Sequence, residues 1–229
     1  DPRGAATNAA APTPGARVFF DPVRAVTRLI AILLLGLASA ACSSTPEPAV
    51  SQADPETELR SLLERADEAF DSRAYDEALG RYQAIHLAAR SGGIKDVATE
   101  AAAQTSTILA LRGDLEEGDR WMGFAENEAT TLKRDSWSRV LLARGVRAWK
   151  RSESQLARGT FIELYNYCRL HDQSARAIQA ANMAAVVSLG EDQLDWSLRA
   201  IEAAQTVGDP KWEAPLWTSH AWLLDDRER

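Results

Sequence analysis

Tyr75-Asp76-Glu77-Ala78-Leu79-Gly80-Arg81-Tyr82 and Leu115-Glu116-Glu117-Gly118-Asp119-Arg120-Trp121-Met122 decide the fold. In each, a small residue stands four positions ahead of a large one: Ala78 before Tyr82, Gly118 before Met122. The arrangement returns at Ala157 before Phe161 and at Ser197 before Ile201, so the anchors are 40, 39 and 40 residues apart. Twelve positions before each anchor stand Ala66, Ser106, Gly145 and Ala185, again all small. Small residues that face each other let two helical backbones approach closely. The pattern predicts a tight helical hairpin that repeats. It also accounts for glycine at 118 and 145, where a helix loses about 1 kcal/mol relative to alanine.

Working outward, no proline occurs between Glu56 and Asp209, and apolar residues recur at three- and four-residue spacing. Alternating strand patterns and Asn-Gly hairpins are missing from the sequence. The spacing predicts helices over 57–71, 75–90, 95–112, 115–131, 136–150, 153–170, 173–189, 193–206 and 211–225. Ser91-Gly92-Gly93, Arg112-Gly113-Asp114, Gly190-Glu191-Asp192 and Gly208-Asp209-Pro210 punctuate them. Asp209 before Pro210 reads as a cap followed by proline at the first helical position. Ser152 with Gln155 reads as a capping box. The expected fold class is all-α.

The chain has 229 residues, 45% hydrophobic, 26% charged and 7% aromatic, which suffices for an apolar core and excludes a wholly disordered chain. The formal charge of −7 disfavours non-specific binding of nucleic acid, whose affinity comes from neutralising phosphates. Two cysteines build neither a disulfide framework nor a structural zinc site.

Seven of the nine prolines lie at Pro55 or earlier, so the N-terminal quarter has a different character. Residues 1–22 are rich in Ala, Pro and Gly without hydrophobic period, and are expected to be upstream sequence or an overlong start. Arg24 and Arg28 then precede the apolar run Leu29–Leu37, and small residues lead to Cys42. That order is the signature of an export signal over 23–41, and its apolar run is shorter than the ~20 residues a membrane span needs. Ala40-Ala41-Cys42 resembles the lipobox of bacterial lipoproteins, with 42–56 as a flexible tether. The resemblance implies diacylation of the Cys42 thiol (palmitate-type chains), and Ser43 after it implies the outer membrane, facing the periplasm. Ser39 stands where that family prefers Leu, so cleavage at Ala38-Ser39-Ala40 to give a soluble exported protein stays open. Removing 1–41 takes away four arginines and Asp1 and Asp21, which leaves 22 basic and 31 acidic residues and a charge of −9.

The small–small–bulky spacing, with Ala74-Tyr75-Asp76-Glu77-Ala78-Leu79 and Arg112-Gly113-Asp114-Leu115-Glu116-Glu117, resembles the tetratricopeptide repeat (TPR) family over about Leu59–Arg229. The resemblance implies an α-solenoid over 57–229, of about four helix pairs and one further helix. Trp217 and Ala221 look like the opening of a fifth repeat. The period near 40 exceeds the family's usual 34, and Ser106 and Ser197 occupy positions usually held by Gly or Ala. A lone final helix leaves a face uncovered. The expectation is either truncation, with the chain as the docking or sensor part of a longer protein, or a capping helix.

Motifs of catalysis are missing: no His-Glu-x-x-His, Gly-x-Ser-x-Gly, phosphate loop or Cys-x-x-Cys. His86, His171 and His220 lie far apart in the repeat order, and Cys168 has no evident base. The expectation is no enzyme, no metal, no cofactor and no small-molecule substrate. Seven tryptophans mostly serve as bulky core. In the TPR register the first helix of each pair lines a concave groove. Carrying that register over gives Arg139, Trp149, Lys150, Asn182 and Trp222, with Glu100 and Thr107, as the groove. Lys133 to Arg151 holds seven basic residues against Asp135 alone. That run reads either as a solvated face or as a basic groove segment for an acidic or C-terminal part of a partner. The function expected is a protein-binding scaffold or assembly factor of the cell envelope, held to the membrane by its lipid.

Overall fold

The structure, a computed structural model, describes residues 54–228 apart from 132 and 209. The signal segment, the upstream residues, most of the tether with Cys42, and the Asp209 cap all lie outside the described residues. The described part consists of helices alone: α1 Pro55–Asp71, α2 Tyr75–Ser91, α3 Lys95–Arg112, α4 Leu115–Glu128, α5 Arg134–Lys150, α6 Ser154–Leu170, α7 Ser174–Val187, α8 Glu191–Val207 and α9 Pro210–Glu228. Each packs on the next in chain order, and α3 also lies broadly against α5. This is a helical-repeat arrangement, as the spacing of small residues requires.

The hairpins close where the anchors predict. At the α3–α4 pair, Ser106 Oγ donates to the Gly118 carbonyl oxygen at 2.7 Å. A Cβ added to Gly118 would meet that helix's Ser106 carbonyl at 3.4 Å. At the α5–α6 pair, the Phe161 ring lies over Gly145 so closely that a Cβ there would meet the ring's Cδ1 and Cζ at 2.8 Å, with Cε1 closer still. Both serines that depart from the TPR consensus have hydrogen-bonding partners: Ser106 as above, and Ser197 with His220 Nδ1, which ties α8 to α9. The turns repeat as well. Arg73, Gly113 and Ser152 each sit five residues before an anchor and each has a left-handed backbone, with φ of 63°, 88° and 62°. Only Gly113 adopts it without steric cost.

α3 differs from the rest. Every residue from Val97 to Ala110 is buried, although the stretch carries Glu100, Gln104 and several hydroxyls. Ala, Ser and Thr on all sides let α2, α4 and α5 close around it, so its polar groups depend on partners inside, which Thr99 Oγ1 and Gln104 Oε1 lack among the described residues. Thr105 and Thr107 return their hydroxyls to the Ala101 and Ala103 carbonyls at 2.9 and 3.0 Å.

Two local expectations are corrected. α4 ends at Glu128, three residues short, because Ala129 turns extended before the β-branched pair Thr130-Thr131. The Ser152–Gln155 capping box does not form. Ser152 and Glu153 donate their N–H groups back to Trp149 and Ala148, closing the end of α5, and the N-cap of α6 is Glu153 without a side-chain bond.

His86 is buried where α2, α3 and α4 meet. Its Nδ1 donates to the Ala98 carbonyl at 2.9 Å, and its ring meets those of Trp121 and Phe124 at 5.1 and 5.6 Å between centroids. Burial holds its pKa below the ordinary 6.5, the backbone bond opposes this in part, and Arg90 adds to it. The folded state thus favours neutral imidazole. Stability is fully present above pH 6.5 and falls as the pH drops through the unfolded pKa towards the folded one. Chemical denaturation between pH 7.5 and 5.5 should show this loss, and His86→Gln should remove it.

Candidate functional site: the recess on the face of the odd-numbered helices

One recess draws residues from α1, α3, α5, α7 and α9 and from no even-numbered helix. The first helix of each hairpin therefore contributes to a shared inner face. α1 supplies Asp67, Phe70 and Asp71, α3 supplies Gln104, and α5 supplies Arg139 and Leu142. α7 adds Arg176 and Gln179, and α9 adds Lys211 and Trp212. The cavity measures about 190 Å³.

Its floor is a chain of charged hydrogen bonds. Arg139 is only 5% exposed. Its Nη1 and Nη2 donate to the two oxygens of Asp67 at 2.8 and 2.5 Å, a fork-on-fork pair. Its Nε donates to Glu100 Oε2 at 3.0 Å, and Glu100 Oε1 accepts from Arg60 Nη1 at 3.3 Å. The Tyr82 hydroxyl donates to Asp67 Oδ1 at 2.5 Å and accepts from Gln104 Nε2 at 3.2 Å. Four helices are thereby tied together through α1, α2, α3 and α5. Burial alone would raise Asp67, but the hydrogen bonds and charge of Arg139 outweigh it and hold the carboxyl below its usual range. At Glu100 burial wins and pushes the pKa up against the pull of Arg139 and Arg60. Burial also raises the Tyr82 phenol, with the neighbouring Asp67 charge adding to it.

Of the five groove residues expected from sequence, Arg139 alone lines this recess. Trp149 packs partly buried against the α5–α9 core, with Lys150 Nζ 5.2 Å from its ring centroid. Asn182 is half-buried, and Trp222 is 68% exposed on α9. Glu100 and Thr107 are buried, the first in the ion-pair chain and the second bonded within α3.

The basic run from Lys133 to Arg151 is in large part a set of clamps between helices. Lys133 pairs with Asp96 at 2.7 Å and Arg144 with Glu126 at 2.8 Å. Arg147 and Arg151 share Asp119; burial pushes its carboxyl up, but the hydrogen bonds and charges of the two arginines together outweigh this and hold it below its usual range. With Arg139, five of the seven cations are engaged by carboxylates of α1, α3 and α4.

Sequence reasoning missed Gln104 and Arg176. Gln104 has a visible signal, a long amide inside an Ala-rich helix. Arg176 has none, because its surroundings come from α5, about forty residues earlier. The chain matches no protein-family model and no curated protein.

Proposed function

We propose that this chain is a non-catalytic, TPR-like scaffold of the bacterial cell envelope that binds a partner polypeptide on its inner face. In this reading Cys42 carries the lipid that holds it at the outer membrane, on the periplasmic side. The observation that carries the reading is the recess shared by the five odd-numbered helices, which gathers charged, amide and aromatic side chains on one surface. Such a mixture suits recognition of a polypeptide by a few anchoring groups amid polar surroundings. Ser39, in place of the preferred Leu, favours a soluble exported form as the second reading.

A photo-crosslinking amino acid at Gln179 of the full chain, in cells, tests the inner face, with Leu156 on α6 as control. A polypeptide adduct at 179 and none at 156 is expected. Equal adducts, or none at 179, reject it. Fatty-acid labelling should vanish in Cys42→Ala, and an unlabelled parent chain rejects the tether.

A further inference from the structure

Two groups in the recess have unmet bonding capacity, and they are complementary. The first is Gln104, 5% exposed and central in α3. Because the Tyr82 hydroxyl gives its proton to Asp67, it must accept from Gln104, which fixes the amide nitrogen on Tyr82 and leaves Oε1 facing elsewhere. Oε1 has no partner among the described residues and is closed off from solvent, so a donor in the recess reaches it only with a small turn of the amide. A buried acceptor left so costs about 1–3 kcal/mol.

The second is Arg176. Its Nη1 donates to two neutral acceptors, the Asp135 carbonyl at 3.2 Å and Ser138 Oγ at 2.6 Å. Among the described residues it makes no ion pair with a carboxylate, whereas the neighbouring Arg139 holds two. Burial, and then the positive charge of Arg139, push its pKa down to about 10 against the opposing charges of Glu100 and Asp67, which lie near without pairing with it. Phe70, Leu142 and Trp212 give the same recess an apolar wall.

We infer that the recess binds one amino-acid-sized carboxylate, with the carboxylate on Arg176, an adjoining N–H donated to Gln104 Oε1 and an apolar side chain against Phe70, Leu142 and Trp212. A guanidinium fork matches a carboxylate in shape and charge. A fully ionised phosphomonoester would satisfy Arg176 but sets only acceptors against Gln104 Oε1. A simple fatty acid lacks the N–H. The cavity of about 190 Å³ lies below the ~300–1,000 Å³ of sites for larger ligands, which fits one residue's worth of atoms. The same chemistry is carried by a free amino acid and by the C-terminal residue of a polypeptide. Asp71 on the α1 wall separates the two, since only the free molecule carries an ammonium beside its carboxylate. The inference rests on the inner face being the binding surface.

Isothermal titration of the full chain decides it. The probes are leucine, N-acetyl-leucine, leucinamide, and a hexapeptide ending in leucine as free acid or as amide. At least one of the three acid probes should bind, and the amide partners should bind at least tenfold more weakly. Arg176→Gln should weaken the acid probes tenfold or more, and Gln104→Met several-fold. Gln104→Met removes the unpaired acceptor, so its folded state, checked by thermal melting, provides the intact comparison should Arg176→Gln unfold. Binding of leucine but not the peptide acid, weakened by Asp71→Asn, identifies the free molecule. Binding of the peptide acid unaffected by Asp71→Asn identifies a chain terminus. Equal binding of acids and amides, binding untouched by Gln104→Met, or none at about 10 mM overturns the inference. Where titration overturns the inference, a crosslinked partner at position 179 that survives Arg176→Gln leaves the scaffold reading standing.

Discussion

Arg139→Ala lowers the unfolding free energy by about 3–5 kcal/mol, read by urea denaturation of the full chain. The size follows from what stays behind. Asp67 and Glu100 remain in place with most of their compensating charge gone, and Glu100 is almost wholly shielded from water. Arg139→Lys recovers only part of the loss, because one ammonium cannot face both oxygens of Asp67 and an oxygen of Glu100 in the directions the fork supplies. Removing Asp67 as well, in Arg139→Ala/Asp67→Asn, costs less than the two single changes summed, since the two groups act as one unit. A single-variant loss under about 1 kcal/mol, the size typical of an exposed pair, would show that the network is solvated and not integral to the fold.

Gly145→Ala destabilises by up to about 3 kcal/mol, opposite in sign to helix propensity, which favours alanine by about 1 kcal/mol. The cause is local. The Phe161 ring is fully buried and occupies the space a methyl group at 145 needs, so either the ring leaves its rotamer or α5 and α6 part. Phe161→Leu in the Gly145→Ala background should recover stability, whereas alone it opens a void and costs stability. That reversal in a double-mutant cycle distinguishes overpacking from a change in the unfolded chain. Neutral or increased stability of Gly145→Ala would refute the close approach of the two helices.

These two residues mark the limits of what the sequence discloses. Gly145 was legible: a glycine inside a helix, at a fixed distance from its counterparts, states that another backbone or ring comes near. Helix positions were legible for the same reason, since the periodicity is local. α3 was found by the breaks on either side of it, Ser91-Gly92-Gly93 and Arg112-Gly113-Asp114, although it is buried all round and has no apolar stripe. The fate of Arg139 was not legible. Its partner Asp67 is 72 residues away, and the register that places Arg139 on the inner face says nothing of Asp67. The same holds for the basic run around it. Seven cations in nineteen residues suggest a surface for a partner, yet the acids that engage most of them come from neighbouring helices. What remained after these cancellations, Gln104 and Arg176, emerges only from a full account of who bonds to whom.

The all-round enclosure of α3 bears on how the molecule comes apart. In an array where each unit touches only its immediate neighbours, the ends can fray while the middle persists. Here the α3 rod has no water-facing side from Val97 to Ala110, and stripping away α2, α4 or α5 removes the packing from which most of a helix's stability comes. Loss of that rod removes support from both flanks at once. The stretch around it melts as a block, and its amides exchange with solvent only when that block opens.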